Sequence, residues 1–144
     1  MNQGGEILIL VIDDSDDDFL FLKRAFERAG SSHKLLRIED GQQAMAYLKG
    51  ENEFSNRERF PVPSLLVLDI KMPKVNGFEV LGWLQATPGV AVPAVVISGS
   101  VIPEDRKKAL ALGAVECFAK PMDPDELTQI AQTIDSRWLR KSLG

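Results

Sequence analysis

The sequence predicts an α/β protein built on a doubly wound parallel sheet with helices on both faces. Short runs of branched apolar residues recur along the chain, as in Ile7-Leu8-Ile9-Leu10-Val11-Ile12 and Leu65-Leu66-Val67-Leu68. Amphipathic stretches of helical period separate these runs. Within the runs, polar and apolar residues do not alternate, so the strands are buried on both faces, as in a parallel sheet covered by helices.

The first strand is expected over residues 6–12. Ser15 then caps a helix, with Asp18 three residues later in a capping-box spacing. Phe19, Leu22, Phe26 and Ala29 form its apolar stripe, and Gly30 ends it. A second strand over 34–38 leads to a short helix over 41–49 that turns Ala44, Met45 and Leu48 inward and stops at Gly50. Residues 51–63 are polar and irregular and read as a solvated insertion. The third strand covers 64–69, Pro73 forbids its continuation, and a helix over 77–85 is broken by Thr87-Pro88-Gly89. After a fourth strand over 93–98, Pro103 opens a helix with Glu104-Asp105 at its start and Arg106-Lys107-Lys108 later, ending at Gly113. The fifth strand is 115–119, and Pro121 and Pro124 precede a last helix with Leu127, Ile130, Ala131, Ile134 and Trp138 on its apolar face.

A chain of βα units of this size is expected to take the flavodoxin-like strand order 2-1-3-4-5. Ligands of such sheets bind at the carboxyl edge where the winding reverses, here between the first and third strands. With 144 residues and no linker or repeat, the chain reads as a single domain over 1–144. A formal net charge of −4 argues against a nucleic-acid partner. No apolar run is long enough to span a bilayer, the N-terminus lacks the basic segment of a signal peptide, and Cys117 is the lone cysteine. Together these features point to the cytoplasm.

The chemistry sits at the strand ends. Asp13 and Asp14 end the first strand, Asp69 the third and Ser98 the fourth, and Lys120 follows the fifth. Three clustered carboxylates repel one another unless a hard cation relieves them, and Mg2+ suits a site of oxygen ligands. Asp69 is the best nucleophile, because a carboxylate is already ionised at neutral pH and aspartyl phosphates are a known covalent class. Lys120 offers a point charge and Ser98 a hydroxyl to phosphoryl oxygens. Each of these residues alone more often ends a strand without further role; the combination carries the reading. A cis Lys120–Pro121 bond would aim the lysine.

Four segments in order resemble the receiver domain of two-component response regulators: Ile9-Leu10-Val11-Ile12-Asp13-Asp14-Ser15; Leu68-Asp69-Ile70-Lys71-Met72-Pro73 with Asn76-Gly77; Val96-Ile97-Ser98-Gly99-Ser100; and Gly113-Ala114 followed by Lys120-Pro121. The resemblance implies that Asp69 accepts a phosphoryl group from a sensor histidine kinase or a phosphotransfer protein. It implies that Asp13, Asp14, Asp69 and the Lys71 backbone carbonyl hold Mg2+, and that Ser98 and Lys120 contact the phosphoryl group. The signal would then pass by protein contact or onward phosphotransfer, with no turnover of an external substrate. The insertion 50–63, the run Lys74-Val75-Asn76-Gly77-Phe78-Glu79-Val80-Leu81 and the ending Ile134-Asp135-Ser136-Arg137-Trp138-Leu139 resemble stand-alone regulators paired with phytochrome-type kinases.

One position departs from the family. An aromatic read-out residue usually lies three before the lysine, where this chain has Cys117. Phe118 beside it faces the opposite side of the strand and should not substitute, so Cys117 is expected to be a small buried residue and the aromatic read-out is put in doubt. Asp16, Asp17 and Asp18 are expected to favour the positive end of the first helix, with added field near the cation a lesser reading. His33, the single histidine, reads as plainly exposed, and Trp138 reads equally as core packing or as a homodimer contact.

Rival functions fare worse. An aspartate-dependent phosphatase of the haloacid-dehalogenase type needs a second acid two residues after the nucleophile, where this chain has Lys71. A nucleotide or flavin binder lacks its glycine-rich loop after the first strand. A receiver-shaped binding module that works without phosphorylation is the remaining alternative.

Overall fold

The computed structural model describes residues 7–72, 75–99 and 101–139. The expected roles of Glu6 in the first strand, of Pro73 as the stop of the third, and of Lys74 and Ser100 lie outside the described residues. The strands are β1 (Leu8–Ile12), β2 (Lys34–Ile38), β3 (Leu65–Leu68), β4 (Ala94–Ser98) and β5 (Glu116–Ala119). The helices are α1 (Asp16–Arg28), α2 (Gly41–Lys49), α3 (Gly77–Gln85), α4 (Pro103–Ala111) and α5 (Pro124–Ile134). All neighbouring strands pair in parallel, in the order β2-β1-β3-β4-β5, as the sequence predicts.

Alternation along each strand divides the core in two. Leu8, Leu10 and Ile12 of β1, with Leu66, Leu68 and Val96, pack against α2, α3 and α4 through Tyr47, Leu48, Val80, Leu81 and Ala109. Ile9, Val11, Val67, Val95 and Ile97 point to the other face, against Leu22, Ala25 and Phe26 of α1 and Ala131 and Ile134 of α5. Fully burying such side chains contributes roughly 1.5–3 kcal/mol each before entropy is charged, which explains why β1, β3 and β4 carry no polar residue before their last position.

The caps follow the sequence in most places. Ser15 Oγ accepts from Asp18 N at 3.1 Å, and Gly50 closes α2 in the left-handed region at φ 72°. Only half of the capping box at α1 forms, because the Asp18 carboxylate is used elsewhere. The complete box sits at α3, where Asn76 and Glu79 each accept from the other's backbone N–H.

Several expectations need correction. The insertion is exposed over most of its length, as expected, but it is pinned to α2 rather than free. Asn52–Ser55 form a 3-10 turn, Phe54 is buried, and the rings of Tyr47, Phe54 and Phe60 stack edge to face or tilted with centroids 5.0–6.0 Å apart. Tyr47 Oη donates to Pro61 O at 2.8 Å, and the Arg57 guanidinium donates to Leu48 O and Phe60 O. Polar composition hid three aromatic side chains that meet only in space, and α2 buries Tyr47 together with the expected Ala44 and Leu48, while Met45 is only half-buried. His33 is not exposed either: its Nε2 lies 2.7 Å from Oδ1 of the buried Asp135. Asp135 opens a π-helical stretch, Asp135–Leu139, that extends α5. There Trp138 packs on the α1–α5 core and its Nε1 donates to Glu116 Oε2 at 2.7 Å, so the packing reading describes its place. Among the described residues no peptide bond is cis, so the Lys120–Pro121 bond is trans and the lysine is aimed by its ion pairs. No helix among the described residues is long and apolar enough to cross a membrane.

Candidate functional site

The parallel ladder carries the strand-end residues to one rim. Beyond the last paired residues, Asp13 N donates to Ile38 O, Asp69 N to Ile12 O, and Lys120 N to Ser98 O, at 2.7–3.1 Å. The backbone thus holds Asp13, Asp69, Ser98 and Lys120 level with one another at the carboxyl edge, where the winding reverses between β1 and β3.

Side chains converge there. Ser98, wholly buried, donates from Oγ to Asp69 Oδ1 at 2.6 Å, and Lys71 N donates to the same oxygen at 2.9 Å. Lys120 Nζ reaches Asp69 Oδ2 at 3.0 Å, Asp13 Oδ2 at 2.9 Å and Asp18 Oδ2 at 2.6 Å. Asp13 Oδ1 accepts from Ser15 N at 2.9 Å. Burial raises the Asp13 pKa against the opposing pull of Lys120. Burial works to lower the Lys120 pKa, but the hydrogen bonds to Asp13 and Asp18 and the charges of Asp13 and Asp69 outweigh it and push it up. Lys120 is therefore a fixed positive charge at any physiological pH.

Gly77 permits the close approach that shapes the rim. A Cβ there would lie 2.6 Å from both Asp69 O and Ile70 Cα, so the start of α3 can press on the loop after Asp69 only without a side chain. A cavity of about 340 Å³ opens beside the carboxylates between α1 and α5, lined by Phe21, Leu22, Met122 and Leu127 together with Asp18 and Lys120.

The donor set fits a hard divalent cation. Asp13, Asp14 and Asp69 each offer a carboxylate oxygen, and these oxygens lie within 4.8 Å of one another. Asp13 and Asp69 are buried and Asp14 is exposed, so the group has two fixed oxygen donors and one adaptable donor at the solvent side.

The structure brings together Asp13, Asp14, Asp69, Ser98 and Lys120, the residues singled out from the sequence. It sets Cys117 apart, buried among the α2–α4 face with Val96 alongside it in register, while Phe118 lies on the other face. Burial raises the Cys117 pKa, and Arg106 Nη1 donates to its carbonyl at 2.6 Å. Two participants escaped the sequence. Asp18 reads as a helix-dipole residue, yet its carboxylate makes the shortest contact to Lys120. Arg37 of β2 donates to Asp13 O at 2.9 Å and pairs with Asp16, buttressing the loop after β1. The expected neighbour relation of β2 and β1 could have flagged an arginine in β2; the sequence admits Asp18 as added field near the cation, but nothing in the spacing could have flagged its contact with Lys120.

A doubly wound sheet with carboxylates, a hydroxyl and an ammonium gathered at its switch point defines the receiver class of signalling domain. The family model "Response regulator receiver domain" matches residues 9–132, and the chain belongs to that family. Among curated proteins it is 31% identical to the response regulator Rcp1 of Synechocystis sp. over 134 residues, covering 92% of this chain and 88% of Rcp1. Among solved structures it superposes on the phosphorylated cyanobacterial phytochrome response regulator RcpA with a TM-score of 0.84 at 29% identity, covering 96% and 98% of the two chains. The Mn2+-bound form of Rcp1 gives a TM-score of 0.81 at 29% identity, covering 95% and 97%.

Proposed function

We propose that this chain is a single receiver domain, over residues 1–144, that takes a phosphoryl group onto Asp69 from a sensor histidine kinase or phosphotransfer protein. The observation that carries the reading is the Asp69 carboxylate itself, buried yet held between the Ser98 hydroxyl and the Lys120 ammonium. Oδ1 already accepts two hydrogen bonds among the described residues and Oδ2 one. Oδ2 therefore keeps more free lone-pair capacity and is the attacking atom. An Oδ2–P bond forms as the bond from phosphorus to the donor breaks, and the donor leaves with that electron pair. Lys120 and Ser98 then turn their donors to the phosphoryl oxygens.

Asp13, Asp14 and Asp69, with the Lys71 carbonyl on the loop directly after Asp69, would hold Mg2+. Bound there, Mg2+ would neutralise charge developing on the transferred group. The protein acts as a cytoplasmic phosphoacceptor switch rather than as a turnover enzyme. The likeness to Rcp1 and RcpA supports a phytochrome-type kinase as donor and a protein, not a nucleic acid, as recipient of the signal. The added charge of the phosphoryl group biases the surface that the recipient reads.

The test is incubation with acetyl phosphate or phosphoramidate and Mg2+, read by intact mass. One phosphoryl adduct is expected on the wild type and none on Asp69→Asn, with Lys120→Ala retaining some uptake and losing signalling. An Asp69→Asn protein that still acquires an acid-labile adduct refutes Asp69 as acceptor. A wild type that acquires none favours the phosphorylation-independent binding module.

A further inference from the structure

Lys120 and the divalent cation draw on the same carboxylates. Two of the three carboxylates suited to the cation, Asp13 and Asp69, already contact the ammonium, at 2.9 and 3.0 Å. An ammonium has three N–H donors, and here each carboxylate partner can take one. A doubly charged ion on Asp13 and Asp69 would repel an ammonium held at that distance, so cation and lysine compete unless the lysine keeps another anchor.

Asp18 is that anchor. It lies outside the cation triad, at the third position of α1, where its backbone N–H is fixed by Ser15 Oγ. Its carboxylate makes the shortest contact to Nζ, 2.6 Å, and its side chain is 38% exposed while Asp13 and Asp69 are buried. It also lines the cavity between α1 and α5, as Lys120 does.

Resting on the phosphoacceptor reading above, we propose that Asp18 is a positioning residue for Lys120. It gives the ammonium a carboxylate to retain when a divalent cation takes Asp13 and Asp69, so that both charges occupy the site together and the lysine stays within reach of the phosphoryl oxygens. Neutralising Asp18 leaves the ammonium dependent on the cation's own ligands and turns cohabitation into competition.

Divalent affinity measures this directly, without any phosphoryl transfer. Mn2+ binding is titrated calorimetrically for the wild type, Asp18→Asn, Lys120→Ala and the double variant, with Asp18→Glu as the conservative control. Asp18→Asn is expected to weaken Mn2+ binding about tenfold in the wild-type background and no more than about twofold in the Lys120→Ala background, because the effect runs through the lysine. Asp18→Glu restores most of the affinity. An unchanged affinity in Asp18→Asn overturns the proposal, and so does an equal loss in both backgrounds, which would make Asp18 a general source of negative field. A wild type that binds no Mn2+ at millimolar concentration overturns the cation site itself and this inference with it. Unfolding midpoints in urea for the four variants separate loss of the site from loss of the fold.

Discussion

Ser98 donates its hydroxyl proton to Asp69 across the pair of strands β3 and β4, at 2.6 Å, in a position that solvent does not reach. The bond orients the carboxylate and keeps one oxygen occupied while the other faces Lys120. A hydrogen bond to a charged group is worth about 1.5–3 kcal/mol. Ser98→Ala should therefore slow adduct formation from acetyl phosphate by roughly tenfold or more, as followed by intact mass over time. Unaltered initial rates would assign Ser98 a packing role alone.

Gly77→Ala should destabilise the fold by about 1–3 kcal/mol, the usual cost of forcing atoms into a packed site. Here the atoms met at 2.6 Å are backbone, Asp69 O and Ile70 Cα, which cannot swing aside. Because that backbone carries Asp69, adduct formation should fall as well. Urea denaturation gives the first quantity and the acetyl phosphate assay the second; a stability equal to wild type contradicts the close approach.

Phe54→Ala should cost about 3–5 kcal/mol, the range for truncating a buried phenylalanine, although Phe54 lies in a segment of polar composition. Tyr47→Phe should cost about 1 kcal/mol through the lost bond to Pro61 O. Equilibrium unfolding in urea measures both. If the segment were a solvated loop, Phe54→Ala would leave the midpoint unchanged.

Cys117 should resist alkylation in the folded protein at about pH 8. Burial raises its pKa, so the thiolate fraction at a given pH is smaller than for a free thiol, and the side chain is enclosed. The sign is fixed: reactivity toward iodoacetamide should climb only at a higher pH than for the unfolded chain. Equal rates with and without denaturant would mean that Cys117 is accessible.

The sheet order and the rim were legible in the sequence because both are set locally. Unbroken apolar runs name the strands, and a parallel sheet aligns their ends, so Asp13, Asp69, Ser98 and Lys120 meet by topology alone. What stayed hidden depends on side chains that cross between elements. Asp18 carries the signature of a helix start, and only the placement of α1 beside the end of β5 turns its carboxylate to Lys120. Tyr47, Phe54 and Phe60 are scattered through polar sequence and form a cluster only once α2 docks. His33 looked like a loop residue because its partner, Asp135, lies beyond the end of α5. The trans Lys120–Pro121 bond needs no special isomer, since three carboxylates already direct the lysine.

The clasp between His33 and Asp135 joins positions 102 apart in the chain. Contacts of such separation carry a large loop-closure cost before they form, so this one, like the pair of Lys120 and Asp13 at 107 apart, is expected to form late. The same logic runs backward under mild denaturant: amides around 135–139 should exchange with deuterium ahead of those in β1 and β3, and simultaneous exchange would refute this sequence of events. On this expectation the molecule's sole imidazole fastens a part of the fold that closes late and loosens early.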